Sequence, residues 1–446
     1  MQIDFKRSDF PADFVFGAAT AAYQIEGTSF GGCGQSHWDT FAATPGNIAD
    51  NTNGSVACAH YNDPERDLDL VQNGNFDAYR FSAAWPRVVP DGRGAINQEG
   101  LDWYDRLVDQ ILARNLKPSL TLYHWDLPVP LADLGGWRNR DTAQWFADYA
   151  DIITRKLGDR LFSTSTINEP WCVAWLSHFL GHHAPGLKDI RAAARAMHHI
   201  LLAHGSAMDV MRANGQDNLG IVLNFEHVQP WDQSVESLQA AKTQDAIYNG
   251  WFLGALFHKQ YPQAALDGLL PHMPAGFEND MDRIGQPMEW LGVNYYTTAR
   301  IAHEPDSLWP HIASKRGDLP LTDMGWEVCP EGLHAILTRI ERDYSKGLPV
   351  YVTENGMANA ETILADGSIQ DNERISYLNS HFAAARQAMA DGVNLKGYFV
   401  WSLLDNYEWA FGYDKRFGIV HVDYETQNRT PKASWYGLQN ALRRPA

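Results

Sequence analysis

Two glutamates stand where carboxyl chemistry is to be expected. Residues 161–167 form an apolar, β-branched run that leads into Asn168-Glu169-Pro170, and residues 349–352 lead in the same way into Thr353-Glu354-Asn355-Gly356. Both runs read as buried strands. Pro170 cannot donate a ladder hydrogen bond, so the first strand must end there. A carboxyl group at the mouth of a buried strand is poorly solvated. That raises its pKa and suits it to act as an acid near neutral pH. One strand-end glutamate is ordinarily a rim salt bridge. Two, at the ends of two separate strands, point to paired-carboxylate chemistry.

The elements that position them alternate along the chain. Strand-like runs fall at residues 14–24, 76–85, 117–126, 161–169, 219–229, 289–297, 349–354 and 395–405. Most are continuously apolar, as a parallel sheet covered on both faces requires. Amphipathic segments lie between them at 99–115, 141–157, 190–213, 331–344 and 372–390. The first of these places Leu101, Leu107, Val108, Ile111 and Leu112 on one face, and Asp371 is positioned to cap the last. Eight β–α alternations predict an α/β fold, a single (β/α)8 TIM barrel. The excess over the usual ~250 residues falls in long loops at the carboxyl ends of the strands, chiefly 27–64 and 303–326. No linker, repeat or low-complexity segment divides the chain, so residues 1–446 are expected to form one catalytic domain.

In such a barrel the site lies at the carboxyl ends of the strands, and polar groups collect there. The strand ends carry Gln24 and Glu26; Arg80; His124-Trp125-Asp126; Asn168-Glu169; Asn294-Tyr295-Tyr296; Glu354-Asn355; and Trp401-Ser402. Amides, carboxylates and imidazole together suit a ligand whose hydroxyls both donate and accept. A sugar is such a ligand, and its C–H face packs on an aromatic plane such as Trp401.

Composition narrows the alternatives. The 36 Lys+Arg against 54 Asp+Glu give a formal charge of −18, which argues against a nucleic-acid partner. No run of about 18 apolar residues suggests a membrane span. Residues 1–13 hold no apolar signal core, and Cys33, Cys58, Cys172 and Cys329 show no paired spacing. A reducing, cytoplasmic setting is expected. His198, His199 and His204 share one helical segment and His182-His183 a loop, but no HExxH spacing accompanies them, so we expect no metal. No GxGxxG follows a strand, and no cofactor is expected. The oligomeric state is left open.

The motifs TINEP, VTENG and WSLLDNYEW occur in this order, with Phe14-Val15-Phe16-Gly17-Ala18-Ala19-Thr20 near one end and Trp435-Tyr436 near the other. Over nearly its whole length the chain resembles glycoside hydrolase family one, the β-glucosidase family. The resemblance implies a retaining β-glycosidase, most simply a β-glucosidase acting on a small-molecule β-glycoside, with Glu169 as general acid/base and Glu354 as nucleophile. On this reading Arg80 and Tyr296 would keep Glu354 ionised, and its charge would keep Glu169 protonated until the sugar esterifies it. Asn168 is similar to the family's 2-hydroxyl ligand. Gln24, His124, Trp125, Tyr296, Glu408 and Trp409 resemble its other sugar-site residues, Trp401 its stacking platform, and Asn294 the position that orders the site. Trp326 belongs on the aglycone side, where Trp171 and Leu176 are further candidates that could narrow the passage and exclude product glucose. The resemblance also implies a cis Trp401–Ser402 peptide. Transfer of the sugar to acceptors other than water uses the same intermediate and stays open. A sugar-binding barrel without catalysis would be the natural reading only if one glutamate were missing.

Family members that act on 6-phosphosugars carry a serine and a lysine in the loop after the eighth strand. Here that loop reads Asn406-Tyr407-Glu408-Trp409-Ala410-Phe411-Gly412. A phosphate dianion beside Glu408 would be repelled. Turnover of an aryl β-glucoside should therefore exceed that of its 6-phosphate in a kcat/KM comparison; the reverse order would refute the reading of this loop.

Overall fold

The computed structural model describes residues 2–444. Eight parallel strands close a barrel: β1 (Val15–Ala19), β2 (Ala78–Ser82), β3 (Lys117–Tyr123), β4 (Ser163–Asn168), β5 (Leu219–Pro230), β6 (Trp290–His303), β7 (Val350–Asn355) and β8 (Leu395–Trp401). Each pairs with its sequence neighbours, and β1 pairs with β8 to complete the ring. All eight expected strands are present, but their ends move. The first run does not stay extended to Gln24: β1 stops at Ala19, and Ala22–Ile25 coils into a helical turn. The second likewise gives way at Trp85–Val88 to a helical turn with a proline in its first positions.

Strands β5 and β6 run further than the apolar pattern suggests. They stay paired from Gly220↔Trp290 to Pro230↔Ile301 and rise together beyond the rim. The short strand Ile312–Lys315 returns antiparallel along β6, with Arg300 opposite Lys315. Much of the expected 303–326 loop is therefore a hairpin arm beside the barrel mouth.

Helices alternate with the strands: α1 (Pro64–Asn73), α2 (Gln98–Ala113), α3 (Thr142–Leu157), α4 (Ile190–Ala213), α5 (Val235–Asp245), α6 (Pro330–Ile340), α7 (Asn372–Ala390) and α8 (Ala433–Ala441). The Asp189 side chain caps α4 through the Ala192 N–H at 2.8 Å. On α2, Leu101, Leu107, Val108 and Ile111 are buried, but Leu112 is 39% exposed and lies off the core face. Asp371 does precede α7 but makes no capping bond. Its carboxylate instead accepts from Arg374 at 2.5 Å and from Ser434 N and Oγ at 2.9 and 2.6 Å, tying α7 to α8.

A buried charge cluster pins the loop after β8, whose Trp401–Ser402 peptide is cis. Asp405 Oδ1 accepts from Lys432 Nζ at 2.8 Å and Gly418 N at 2.9 Å, and Oδ2 accepts from Arg416 at 2.9 Å. Lys432 also pairs with Glu361 at 2.5 Å, beside His421. Among the described residues Glu361, Asp405 and His421 form the one acid–imidazole group tight enough to suggest a cation, but the Lys432 ammonium already bridges its two carboxylates. Removing that ammonium would leave buried carboxylates under-compensated. Lys432→Met should cost about 3–5 kcal/mol of stability, measured by urea unfolding; a loss within about 0.5 kcal/mol, as at an ordinary surface site, would show that the cluster does not hold the loop.

Candidate active site

Side chains alternate along a strand, and the alternation decides which rim residues can meet. Asn294 and Tyr296 on β6 face the barrel mouth. Tyr295 between them points into the core and donates to Cys329 O at 2.7 Å. On β7, Glu354 turns inward to the site while Asn355 faces away and bonds Tyr295 O and Tyr377 at 2.6 and 3.0 Å. At the end of β4, Glu169 adopts φ 52°, in the left-handed region, with its N–H held by Val222 O at 2.9 Å. A non-glycine residue there costs of order 1–3 kcal/mol, so packing must hold the carboxyl in place. Gly356, just after β7, passes so close to the Trp401 carbonyl that an added Cβ would lie 1.8 Å from its oxygen. Only glycine fits at that crossing.

One hydrogen-bond network joins the two glutamates. Fully buried Arg80 donates through Nη1 to Glu354 Oε1 at 2.7 Å and through Nη2 to Asn168 Oδ1 at 2.8 Å. Tyr296 donates its hydroxyl to Glu354 Oε2 at 2.7 Å. Asn294 Nδ2 donates to Glu169 Oε1 at 2.7 Å and to Asn168 Oδ1 at 3.0 Å, while its own Oδ1 accepts from Thr353 at 2.7 Å. Cys172 donates its thiol to the other oxygen of Glu169 at 3.1 Å. The two carboxyls thus sit in unlike surroundings: Glu354 beside a guanidinium, Glu169 among neutral groups. Burial, then the charge of Glu354, push the pKa of Glu169 up to about 8.

The inner end of the cavity offers free polar atoms. Gln24 Nε2 is spent on Asn406, the Tyr407 carbonyl and Glu408, but its Oε1 is buried and unpartnered. His124 Nε2 faces the Asn168 amide at 3.2 Å, leaving Nδ1 unpartnered. Burial and Arg80 hold this imidazole well below its ordinary pKa, so it is neutral. Its ring lies parallel to Trp401 and Trp409, with centroids 5.7 and 6.0 Å away. Burial, then the charges of Glu354 and Glu169, push Glu408 up to about 8. Trp125 donates its indole N–H to Asn168 O at 2.9 Å and packs on Trp409.

A cavity of about 850 Å³ runs outward from these groups. Glu169, Glu354, His124, Trp125, Tyr296, Trp401, Glu408 and Trp409 line it, as do Trp326, Trp171 and Leu176 towards the exit. Trp171 packs against Tyr248 with centroids 4.1 Å apart. Gln24, Arg80, Asn168 and Asn294 are buried behind the lining. Asn294 in particular is fully buried and holds Asn168 and Glu169.

Not every polar rim residue belongs to the site. Glu26 pairs with Arg87 at 2.8 Å and accepts from Tyr104, Asn355 packs in the core, and Ser402 bonds within its own loop. Asp126 is buried outside the lining. Conversely, Cys172, Asn224, Glu226 and Tyr248 line the outer half without having been singled out by their sequence context. Cys172 follows Glu169 by three residues, one helical turn, which was the available signal. Asn224 and Glu226 share a face of β5 two residues apart, and burial pushes Glu226 up to about 7. The histidines of α4 are structural: His198 bonds Tyr261 and Asp280, His199 the Trp137 carbonyl, and His204 the Thr166 hydroxyl.

A closed (β/α)8 barrel that surrounds two unlike carboxyls with hydroxyl-reading groups and stacked indoles is built as a glycoside-cleaving enzyme. The sequence profile described as glycosyl hydrolase family 1 matches residues 6–444, and the chain belongs to that family. It is 43% identical over 437 residues to "Beta-glucosidase A" of Thermotoga maritima, covering 97% of this chain and 98% of that one. It is 42% identical to a "Bifunctional beta-D-glucosidase/beta-D-fucosidase" of Bifidobacterium breve, covering 96% and 97%. The solved family 1 β-glucosidase of Thermotoga maritima in complex with isofagomine lactam superposes with a TM-score of 0.94 at 42% identity, over 98% of each chain.

If the charge of Glu354 helps to keep Glu169 protonated, neutralising it must lower the Glu169 pKa without abolishing the effect of burial. In Glu354→Gln, NMR titration of the Glu169 carboxyl should show a midpoint at least one unit below the wild-type value near 8, yet above 4.5. An unmoved midpoint would show that the carboxyls do not communicate.

Proposed function

We propose that the protein is a retaining β-glucosidase that releases one unphosphorylated glucosyl unit from the non-reducing end of a β-glucoside, with Glu354 as nucleophile and Glu169 as general acid/base. The observation that carries the assignment of roles is the asymmetry of the two carboxyls. Arg80 and Tyr296 donate to Glu354, whereas Glu169 has no direct cationic partner among the described residues and is pushed up to about 8. In the first step Glu354 attacks the anomeric carbon, the bond to the aglycone oxygen breaks, and Glu169 gives that oxygen its proton. The ester that forms removes the negative charge of Glu354. Glu169, no longer beside an anion, falls in pKa and takes a proton from water, which attacks the same carbon and returns Glu354 as leaving group. Two displacements retain the β-configuration.

Asn168, beside both carboxyls, is assigned to the 2-hydroxyl. Gln24, His124, Trp409 and Glu408 are assigned to the outer hydroxyls, and Trp401 to the apolar face of the ring. Trp326, Trp171 and Leu176 are assigned to the aglycone. The names of the relatives support glucose as the sugar, with fucosides as a second class. We assign the enzyme to the cytoplasm, in keeping with four cysteines that all stand unpaired. We treat the whole chain as one catalytic domain.

The roles are separated by the stereochemistry of anion rescue. Glu354→Ala should lose several orders of magnitude of activity on every substrate, and azide entering the cavity on the α-face should give the α-glycosyl azide. Glu169→Ala should still be glycosylated by a dinitrophenyl glucoside, which needs no acid, and azide should accelerate its slow second step to give the β-glycosyl azide. NMR of the products decides. The opposite pairing of mutant and anomer would reverse the roles, and two unimpaired mutants would remove the site.

A further inference from the structure

The cavity keeps its carboxyls and its exposed cations apart. Its inner end holds Glu169, Glu354 and Glu408. Its outer end is lined by the hairpin arm, including Arg300, Lys315 and Arg316. Arg300 is already spent: its Nε donates to Glu327 Oε2 at 3.2 Å, and the second oxygen of Glu327 accepts from Leu319 N at 3.1 Å. The chain crosses this pair at Gly317, where an added Cβ would lie 2.2 Å from Arg300 Nε and 2.5 Å from Glu327 Oε1. That close passage sets the neighbouring Lys315 and Arg316 beside the opening. Both are exposed, and neither forms an ion pair among the described residues. Asp318, the next acidic residue along the arm, does not line the cavity. Glu226 on the wall of β5 is the remaining acid of the outer half, and burial favours its neutral form.

The register places these cations at a definite depth. Lys315 pairs across from Arg300, four residues along β6 from the Tyr296 that holds Glu354. β6 spends one of those residues on a bulge opposite the Phe225–His227 stretch, so at ~3.3 Å per residue Arg300 lies ~10 Å along the strand from Tyr296, more than one sugar ring spans. A group there meets the far end of an aglycone and not the glucosyl unit. A chain with a net charge of −18 would repel an anionic substrate from most of its surface, so two uncompensated cations at the mouth of the pocket select locally against the field of the whole.

We infer that the outer aglycone subsite, through Lys315 and Arg316, favours β-glycosides whose aglycone carries a carboxylate or comparable anion at its distal end. This rests on the β-glycosidase reading of the site and adds to it the chemical class of the aglycone. No covalent step changes: the anion orients the leaving group while Glu354 and Glu169 act as before.

The test uses 4-(2-carboxyethyl)phenyl β-glucoside and its primary amide. They match in shape and in the reactivity of the leaving phenol and differ in charge at the far end. The acid should be preferred in kcat/KM by about fivefold at low ionic strength, as expected for two exposed opposite charges, and the preference should fade at about 0.5 M salt. Lys315→Gln with Arg316→Gln should bring the acid-to-amide ratio to about one, and Lys315→Glu with Arg316→Glu should invert it. The ratio divides out any common change in folding or chemistry. A wild-type ratio of one or less, or a ratio that neither double variant moves, would overturn the inference. If neither glucoside is cleaved, the glucosyl assignment fails instead, and the same acid-to-amide ratio is then read on the corresponding fucosides or galactosides.

Discussion

The structure depends on one guanidinium. Arg80 is buried in the middle of β2, and its two terminal nitrogens divide between Glu354 and Asn168. An uncompensated carboxylate at this depth would be strongly disfavoured, and the arginine is the cation that faces Glu354, at 2.7 Å. Through Asn168 and then Asn294 the same donor network reaches Glu169. That second carboxyl gains only neutral partners. Two glutamates on similar strand ends therefore differ in their surroundings, because one strand between them contributes a cation that bonds Glu354 and not Glu169.

The barrel makes that asymmetry rigid. Arg80, Asn168, Asn294 and Glu354 all lie on or at the ends of strands whose ladders run through the core, so their relative positions follow from the closure of the ring. The groups proposed to read the sugar are less directly tied to the ring. Glu408 and Trp409 lie on the loop after β8, and Gln24 on a helical turn after β1. Gln24 bonds Asn406 and Glu408 of that loop, and the Asp405–Lys432 ion pair anchors it from behind. The inner half of the cavity is thus built of buried, mutually bonded groups. The outer half is made of the hairpin arm and the helical segment after Glu169, where surfaces are more exposed and substrate differences can be accommodated.

Much of this was legible in the sequence, for definite reasons. The strands of a parallel barrel are buried on both faces, so each shows as an apolar run, and the residues that interrupt such a run at its carboxyl end mark the site. Glu169, Glu354, Asn294 and His124 were visible on that basis. The same rule misplaced Glu26, Asp126 and Asn355, because a rim residue faces either the mouth or the surrounding helices, and period-two alternation cannot be phased once the strand has ended. Gln24 and Trp85 read as strand because small or aromatic residues fit either state, and the chain turns helical there. The extension of β6 is hidden in the sequence because Thr298–His303 mixes polar and apolar residues and lacks the continuous apolar run of a strand buried on both faces. A cysteine without paired spacing carries no signal of its own, so the contact of Cys172 with Glu169 shows only in the structure. Asp371 has the residue type and position of a cap, but the nearby Arg374 and Ser434 offer its carboxylate stronger partners.

The account's central claim is that Glu354, held by Arg80 and Tyr296, is the group that bonds to the sugar. A 2-deoxy-2-fluoro-β-glucoside with a dinitrophenyl leaving group slows both steps but spares the first more, so the covalent intermediate accumulates. Intact-mass measurement followed by peptide mapping should find one fluoroglucosyl unit per chain, attached to the peptide containing Glu354. A label on Glu169 or on any other residue, or a chain that turns over the ordinary glucoside yet never takes up the label, would contradict the account.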